Sequence, residues 1–199
     1  MATVTVERFE QGLTYEQYKD QMTRNRERLE ANERDLKLSP DELSPFQRLA
    51  RPVRVLALAE DWCGDVIANL PILGRLVSET GKLDLRVFLR DQNLDIMDEY
   101  LNGGQYRSIP VFVFFDERLQ ELGRFVERPK SVTAELDSRR REIFGKNPDF
   151  GEPGQPIDQL PEDVRVRLMQ AMSAMRADLA PFSNAEVVKA LAAIVGQVS

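Results

Sequence analysis

The sequence predicts an α/β fold, with a central mixed sheet in the order βαβα followed by ββα and with additional N-terminal and C-terminal helices. Residues 53–59 and 111–116 are almost continuously apolar, as expected of strands that are covered on both faces. Patterns of helical spacing separate the first strands, and parallel strands need such helical crossovers. The last two strands follow each other closely, so a tight turn can join them antiparallel.

The first 49 residues are predicted to form an N-terminal helical extension. Thr14 to Gln17 has the pattern of a capping box and opens a helix that is expected to reach about Leu36. The middle of this helix, 23–28, is polar on every side, so it is either solvated or packed on a polar partner. A second capping box at 39–42, with a proline at the first helical position, opens a short helix.

Residues 50–145 are predicted to contain the α/β domain. Gly81 is a typical residue after the last turn of a helix, and Asn93 can cap the helix that follows. The predicted elements are strand 53–59, helix 65–80, strand 83–89, helix 94–101, strand 111–116, strand 119–126 and helix 129–144.

Residues 146–199 are predicted to form a linker and a C-terminal helical extension. The linker, 147–156, is rich in proline and glycine, and a third capping box at 183–186 opens the last helix. Between them runs an apolar stripe with helical spacing, which we expect to pack on the α/β domain or on a partner subunit. The second alternative makes the protein a homodimer through its terminal helices. The stripe consists of Val164, Leu168, Met172, Met175 and Leu179.

Composition excludes several classes of site. The 199 residues include 27 Lys and Arg against 33 Asp and Glu, and the resulting net charge of −6 argues against nucleic acid as a partner. The absence of histidine excludes histidine bases and histidine metal sites. The single cysteine excludes an intrachain disulfide and a cysteine-rich zinc site, so no metal is expected.

The sequence also predicts where the protein acts. The first ten residues lack the apolar stretch of a secretory signal, and no run approaches the ~20 apolar residues of a membrane span. We therefore expect no membrane partner and a reducing cytoplasm as the location.

Cys63 lies between a predicted strand and the start of a predicted helix. The unpaired N–H groups and the positive dipole end of a helix start stabilise a thiolate, which is the nucleophilic form. The dipole effect is worth about 0.3–1 kcal/mol. The carboxylate of Asp65 opposes it, because a unit charge at ~6 Å contributes on the order of 1 kcal/mol. The two effects are of similar size, so the sequence leaves the direction of the pKa shift open.

The surroundings of Cys63 resemble those of the thioredoxins. Trp62, Cys63 and Gly64 follow a strand, Pro71 stands eight residues past the cysteine, and Ile109-Pro110 precedes a later strand. The resemblance covers about 50–145. It is strongest to a poorly characterised thioredoxin-like branch with a single-cysteine Trp-Cys-Gly-Asp motif and a downstream Arg-Asp-x-Asn-Leu-Asp, here 90–95.

The resemblance implies roles for individual residues. Cys63 is the attacking thiol, and the substrate contacts are Trp62, Gly64, Ile109 and Pro110, with Pro110 in the cis form. Asp65 is either an acid or base beside the thiol or an ordinary acid in the first turn of a helix.

Three neighbours of the motif are expected to have structural or passive roles. Asp91 and Asn93 are expected to cap the following helix, the alternative being a direct role in binding. Asp61 is expected to be a solvated loop residue.

Three departures from the thioredoxin pattern bear on the activity. Val66 stands where thioredoxins carry the resolving cysteine, Ala57 where they bury a carboxylate, and Asp65 where the motif has proline. Without a resolving thiol, a mixed disulfide on Cys63 requires attack by an outside thiol such as glutathione. No bound cofactor is expected.

Three functions remain open at this point, the third being an unrelated chemistry such as peroxide scavenging by a single cysteine. The first is a monothiol thiol–disulfide oxidoreductase, whose partner is a protein or a low-molecular-weight thiol or disulfide. The second is a non-catalytic thioredoxin-like binding or adaptor module, in which the same residues form a contact surface.

Overall fold

A computed structural model describes residues 4–196 and confirms the predicted mixed sheet. Strand β1, Val53–Ala59, lies at the centre and pairs in parallel with β2, Leu83–Leu89. On its other side β1 pairs antiparallel with β3, Val111–Phe115, which pairs antiparallel with β4, Glu121–Val126. The strand order is therefore β2-β1-β3-β4, as in the predicted βαβα-ββ arrangement.

Helix α5 connects the two parallel strands. It spans Gly64–Thr80 and ends at Gly81, whose φ of 61° lies in the left-handed region that glycine adopts readily. Its buried face includes Ile67, Leu70 and Leu73, which belong to the same apolar core as every residue of β1 except Arg54. The first residue of α5 follows directly on Cys63, so the helix places the thiol at the end of the central strand.

The connection after β2 differs from the prediction. A 3₁₀ turn over Arg90–Gln92 precedes α6, which spans only Leu94–Met97 rather than 94–101. The side chain of Asn93 makes no cap: its amide donates to the carbonyl of Leu89, and its oxygen accepts from Arg8. The expected cap was therefore wrong, because one nearby carbonyl and one distant arginine engage this side chain.

Four short helices precede the sheet: α1 at Val6–Glu10, α2 at Tyr15–Gln21, α3 at Arg26–Asp35 and α4 at Pro40–Gln47. The capping boxes at Thr14 and Ser39 are both formed, as predicted. The single helix expected from Thr14 to Leu36 was wrong, because the chain breaks between α2 and α3. Asn25 there takes a left-handed φ of 56°, which a continuous helix does not allow.

Two long helices complete the chain: α7, Lys130–Lys146, and α8, Glu162–Val195. The separate last helix expected to open at Ser183 was wrong, since α8 runs continuously through that position. The carboxylate of Glu186, which a capping box requires, accepts instead from the hydroxyl of Ser131. The linker contains two 3₁₀ turns, Pro148–Phe150 and Ile157–Gln159.

The chain folds as two compact units. The first runs to Arg128 and includes the segment from Val187 onward, which adds Leu191 and Val195 to the core of the sheet. The second is Pro129–Glu186, with apolar clusters of its own. Most of the predicted stripe of α8 is buried in these clusters, where Met175 and Leu179 pack with residues of α7.

The division predicted at residues 49 and 145 follows the sequence pattern and stays a prediction. Its outermost residues, 1–3 and 197–199, lie outside the described part of the chain. Across residues 4–196, every helix is too short or too polar to cross a membrane.

Candidate functional site

The site is built around Cys63, the residue that precedes α5. The thiol loop, residues 60–63, joins β1 to this helix, and within it the N–H of Cys63 donates to the carbonyl of Glu60 at 3.2 Å. The side chain is half-buried, and its Sγ donates to the carbonyl oxygen of Ile109 at 3.5 Å. The sulfur thus lies over a peptide 46 residues further along the chain.

Ile109 and Pro110 form the opposing wall. Their peptide bond is cis, and both residues are buried at the start of β3. The carbonyl of Pro110 accepts from the N–H of Glu127 at 2.7 Å, which ties this wall to the end of β4. The structure therefore brings Cys63, Ile109 and Pro110 together.

Trp62 borders the thiol on the solvent side. The residue is 44% exposed, and the guanidinium of Arg90 lies 4.8 Å from its ring centre. Arg90 also donates to the carbonyl of Arg107 at 3.1 Å, close in sequence to Ile109. A cation on an aromatic face and a hydrogen bond thus link the two loops that flank the sulfur. The sequence carries Arg90 in its motif but does not predict this stacking, which depends on the fold.

Asp65 lies in the first turn of α5 and pairs with Arg128. The guanidinium donates to its carboxylate at 2.7 Å, and each side chain is only 19% exposed. Arg128 also contacts the carboxylate of Glu127. Sequence reasoning missed Arg128 as the partner of Asp65, because it stands 63 residues away and no local pattern marks it.

Glu127 makes several hydrogen bonds that hold the segment next to Arg128 in place. It adopts a left-handed φ of 59°, and its carbonyl accepts from the buried amide of Asn69 in α5 at 2.9 Å. Its carboxylate also accepts from Asn102 at 3.2 Å. These bonds fix the segment that presents Arg128 to Asp65.

The environment of Cys63 favours the protonated thiol over the thiolate. Burial raises the pKa of Cys63 and is the largest effect. The N–H groups of Val66 and Asp65 lower the pKa, the carboxylate of Asp65 raises it, and the cation of Arg128 lowers it. The pKa of Cys63 is therefore raised overall. The sequence alone did not settle this direction, because the helix start and Asp65 have opposite effects of similar size, and burial decides it.

Glu60 supplies a buried carboxyl in the thiol loop. Ala57 is completely buried where thioredoxins carry their carboxylate, but Glu60, at the end of the same strand, is itself only 9% exposed. Burial raises the pKa of Glu60, and the N–H of Asp91 donates to its carboxylate at 2.9 Å. Its position directly after an apolar strand was the signal that sequence reasoning overlooked.

Asp61 lies in a partly exposed loop turn, as expected, but its side chain also has partners in the extension. Its carboxylate accepts hydrogen bonds from Thr23 and Arg24 in the break between α2 and α3. Residues 23–28 all stay exposed, so the solvated alternative describes this polar stretch, although its first three residues also bond to Asp61.

The other residues that follow Cys63 in the motif lie in the first turn of α5. Gly64 opens α5, and Val66 is completely buried in its first turn. The described residues contain no cluster of three or more carboxylate or thiol groups that could hold a metal ion.

A family model described as thioredoxin matches residues 12–140, well over half of the chain. The chain belongs to the thioredoxin family. No curated protein matches it.

Two solved structures share the fold of this family member. A protein of unknown function from Pseudomonas aeruginosa aligns with a TM-score of 0.69 at 21% identity, covering 99% of this chain and 100% of that one. An HIV epitope scaffold aligns with a TM-score of 0.62 at 17% identity, covering 96% of each chain. Both likenesses extend over the terminal helices as well as the sheet.

Proposed function

We propose that this protein is a monothiol thiol–disulfide oxidoreductase of the single-cysteine Trp-Cys-Gly-Asp branch. One observation carries the proposal: the Sγ of Cys63 is half-buried at a helix start and lies 3.5 Å from the backbone of Ile109. A nucleophile there can meet a disulfide that lies along this backbone, since reacting groups must be brought to within about 3–3.5 Å of each other.

The reaction consists of two exchanges. The thiolate of Cys63 attacks one sulfur of a disulfide, forms a mixed disulfide and releases the other sulfur as a thiolate. The thiolate of an outside thiol of the glutathione class then attacks the substrate sulfur of this mixed disulfide. Cys63 leaves as thiolate, so the outside thiol is the reductant and Cys63 is unchanged overall. Val66 offers no second sulfur, which makes the outside thiol necessary.

The neighbours of the sulfur have separate roles in this proposal. Trp62 and Gly64 border the sulfur, and Ile109 and Pro110 provide a backbone edge for an extended substrate segment. Asp65 is the acid or base beside the sulfur. Arg128, which holds Asp65 at 2.7 Å, offsets the negative charge that develops as the sulfur ionises.

The partner in this proposal is a protein or a low-molecular-weight disulfide. The cycle needs a supply of reduced thiol, so we place the protein in the cytoplasm. Nucleic acid and membrane have no part in it.

The test measures turnover at Cys63. The wild-type protein should reduce a glutathione mixed disulfide on a model peptide when glutathione is supplied. Cys63→Ser and Cys63→Ala should both abolish this activity, and mass spectrometry should find the peptide or glutathione attached only to the wild-type protein. A wild-type protein without turnover or adduct contradicts the proposal.

A second candidate is a non-catalytic binding module, and the raised thiol pKa favours it. A protonated sulfur that donates to Ile109 is a poor nucleophile at neutral pH but a stable part of a contact surface. In that case a partner protein is retained equally by the wild type and by Cys63→Ser. Loss of capture in Cys63→Ser contradicts a purely non-covalent module.

A further inference from the structure

Asp61 joins the N-terminal extension to the thiol loop. Its Oδ2 accepts from the N–H of Thr23 at 2.7 Å, from the hydroxyl of Thr23 at 3.1 Å and from the N–H of Arg24 at 3.0 Å. Its own carbonyl accepts from the side-chain amide of Asn25 at 2.8 Å. One residue therefore holds the break between α2 and α3 through both its carboxylate and its backbone.

This break is the place where the extension departs from a continuous helix. The N–H groups of Thr23 and Arg24 point to Asp61 instead of to carbonyls of their own helix. Asn25, in its left-handed conformation, then redirects the chain into α3. Three hydrogen bonds converge on one oxygen of Asp61, so the contact restricts the positions of both segments.

Two more contacts attach the extension to the same region. Tyr18 of α2 is 1% exposed, and the pKa of its hydroxyl is raised by burial and by its neighbours Asp61, Glu60 and Cys63. The side-chain amide of Asn32 in α3 donates to a carbonyl in the first turn of α5 at 2.9 Å. The extension therefore reaches both the thiol loop and the start of the helix that follows Cys63.

We propose that the N-terminal extension is part of the thiol site and that Asp61 is its positioning residue. The hydrogen bonds to Thr23 and Arg24 hold the thiol loop so that Cys63 faces the backbone of Ile109. This inference rests on the proposed function for its kinetic consequence. The position of the thiol loop can be measured without any assay of activity. Trp62 lies in this loop between Asp61 and Cys63 and is the only tryptophan among the 199 residues, so its fluorescence reports on the loop.

The experiment compares Asp61→Ala with Asp61→Asn. The asparagine keeps an oxygen that can accept the three hydrogen bonds, whereas alanine removes it. Acrylamide quenching of Trp62 fluorescence should increase in Asp61→Ala and change little in Asp61→Asn. A displacement of about 1 Å can cost on the order of 100-fold in rate, so attack of Cys63 on a mixed disulfide should fall at least tenfold in Asp61→Ala.

A second variant tests the same contact independently, so that the proposal can still be decided if Asp61→Ala does not fold. Asn25→Gly permits the same left-handed backbone but removes the donor to the carbonyl of Asp61, and it should change quenching in the same direction by less. Glu27→Ala, an exposed change in the same extension, is the control and should match the wild type. The pH profile of Cys63 alkylation should shift in Asp61→Ala and not in Glu27→Ala.

The outcomes separate the two proposals. If Asp61→Ala and Asn25→Gly both match Glu27→Ala in quenching and in pH profile, Asp61 does not position the loop. If the wild type shows no disulfide reduction, the proposed function fails. Quenching and the alkylation profile still decide the role of Asp61 in that case.

Discussion

The guanidinium of Arg128 lies 2.7 Å from the carboxylate of Asp65, at the start of the helix that follows Cys63. The pair joins the first turn of α5 to the end of β4, and both side chains are mostly buried. Because the two charges act on the thiol pKa in opposite directions, each can be tested by removing it alone.

Arg128→Gln should make the thiol less reactive at neutral pH. The variant removes the cation that lowers the pKa of Cys63 and leaves the carboxylate of Asp65 that raises it. The pKa therefore rises, the thiolate fraction falls, and alkylation by iodoacetamide slows severalfold. The free energy of unfolding should also fall by about 1–3 kcal/mol, since a largely buried carboxylate loses its partner. Faster alkylation contradicts the assigned role.

Asp65→Asn should act in the opposite direction on the thiol. Loss of the carboxylate removes a charge that raises the pKa of Cys63, whereas the cation of Arg128 remains. The pKa falls, and the alkylation profile moves to lower pH. Asp137→Asn, an exposed change in α7, is the matched control and should leave the profile unchanged. A profile that moves to higher pH shows that Asp65 acts through hydrogen bonding rather than charge.

The fold could be predicted because its signals are local. The apolar run of β1 and the glycine that ends α5 act within their own segments, so a single sequence suffices to place them. Helix limits failed where distant residues intervene: Asp61 draws donors out of the predicted helix at Thr23, and Ser131 engages the carboxylate of Glu186. A local capping pattern contains no information about hydrogen-bond partners that are distant in the sequence.

The residues of the candidate site also fall into two groups, those that a sequence pattern predicts and those whose position depends on the fold. Cys63, Ile109 and Pro110 could be placed together because their spacing in the chain matches a known pattern. Arg128 could not be placed, since its contact with Asp65 depends on the register of β4. The direction of the pKa shift of Cys63 could not be predicted either, because it depends on how deeply the thiol is buried.

Glu60→Gln should change how stability depends on pH. The folded-state pKa of Glu60 is raised, mainly by burial, so the folded protein binds this proton more tightly than the unfolded chain. The wild type therefore loses stability as pH rises from about 4 towards neutrality, and the glutamine variant lacks this loss. The difference in free energy of unfolding should shift in favour of Glu60→Gln across that range. A difference that stays constant with pH contradicts the buried position of Glu60.

Gly74→Ala tests how the extension packs on α5. A Cβ at Gly74 lies 2.4 Å from the ring of Tyr15 in α2, so the ring must move. Overpacking typically costs about 1–3 kcal/mol, which exceeds the gain of up to ~1 kcal/mol from replacing a helical glycine. The matched control is Gly145→Ala in α7, where the added methyl group meets nothing within 4 Å. Urea unfolding should show a loss for Gly74→Ala and none for Gly145→Ala. Equal stability of the two variants means that α2 does not pack closely on α5.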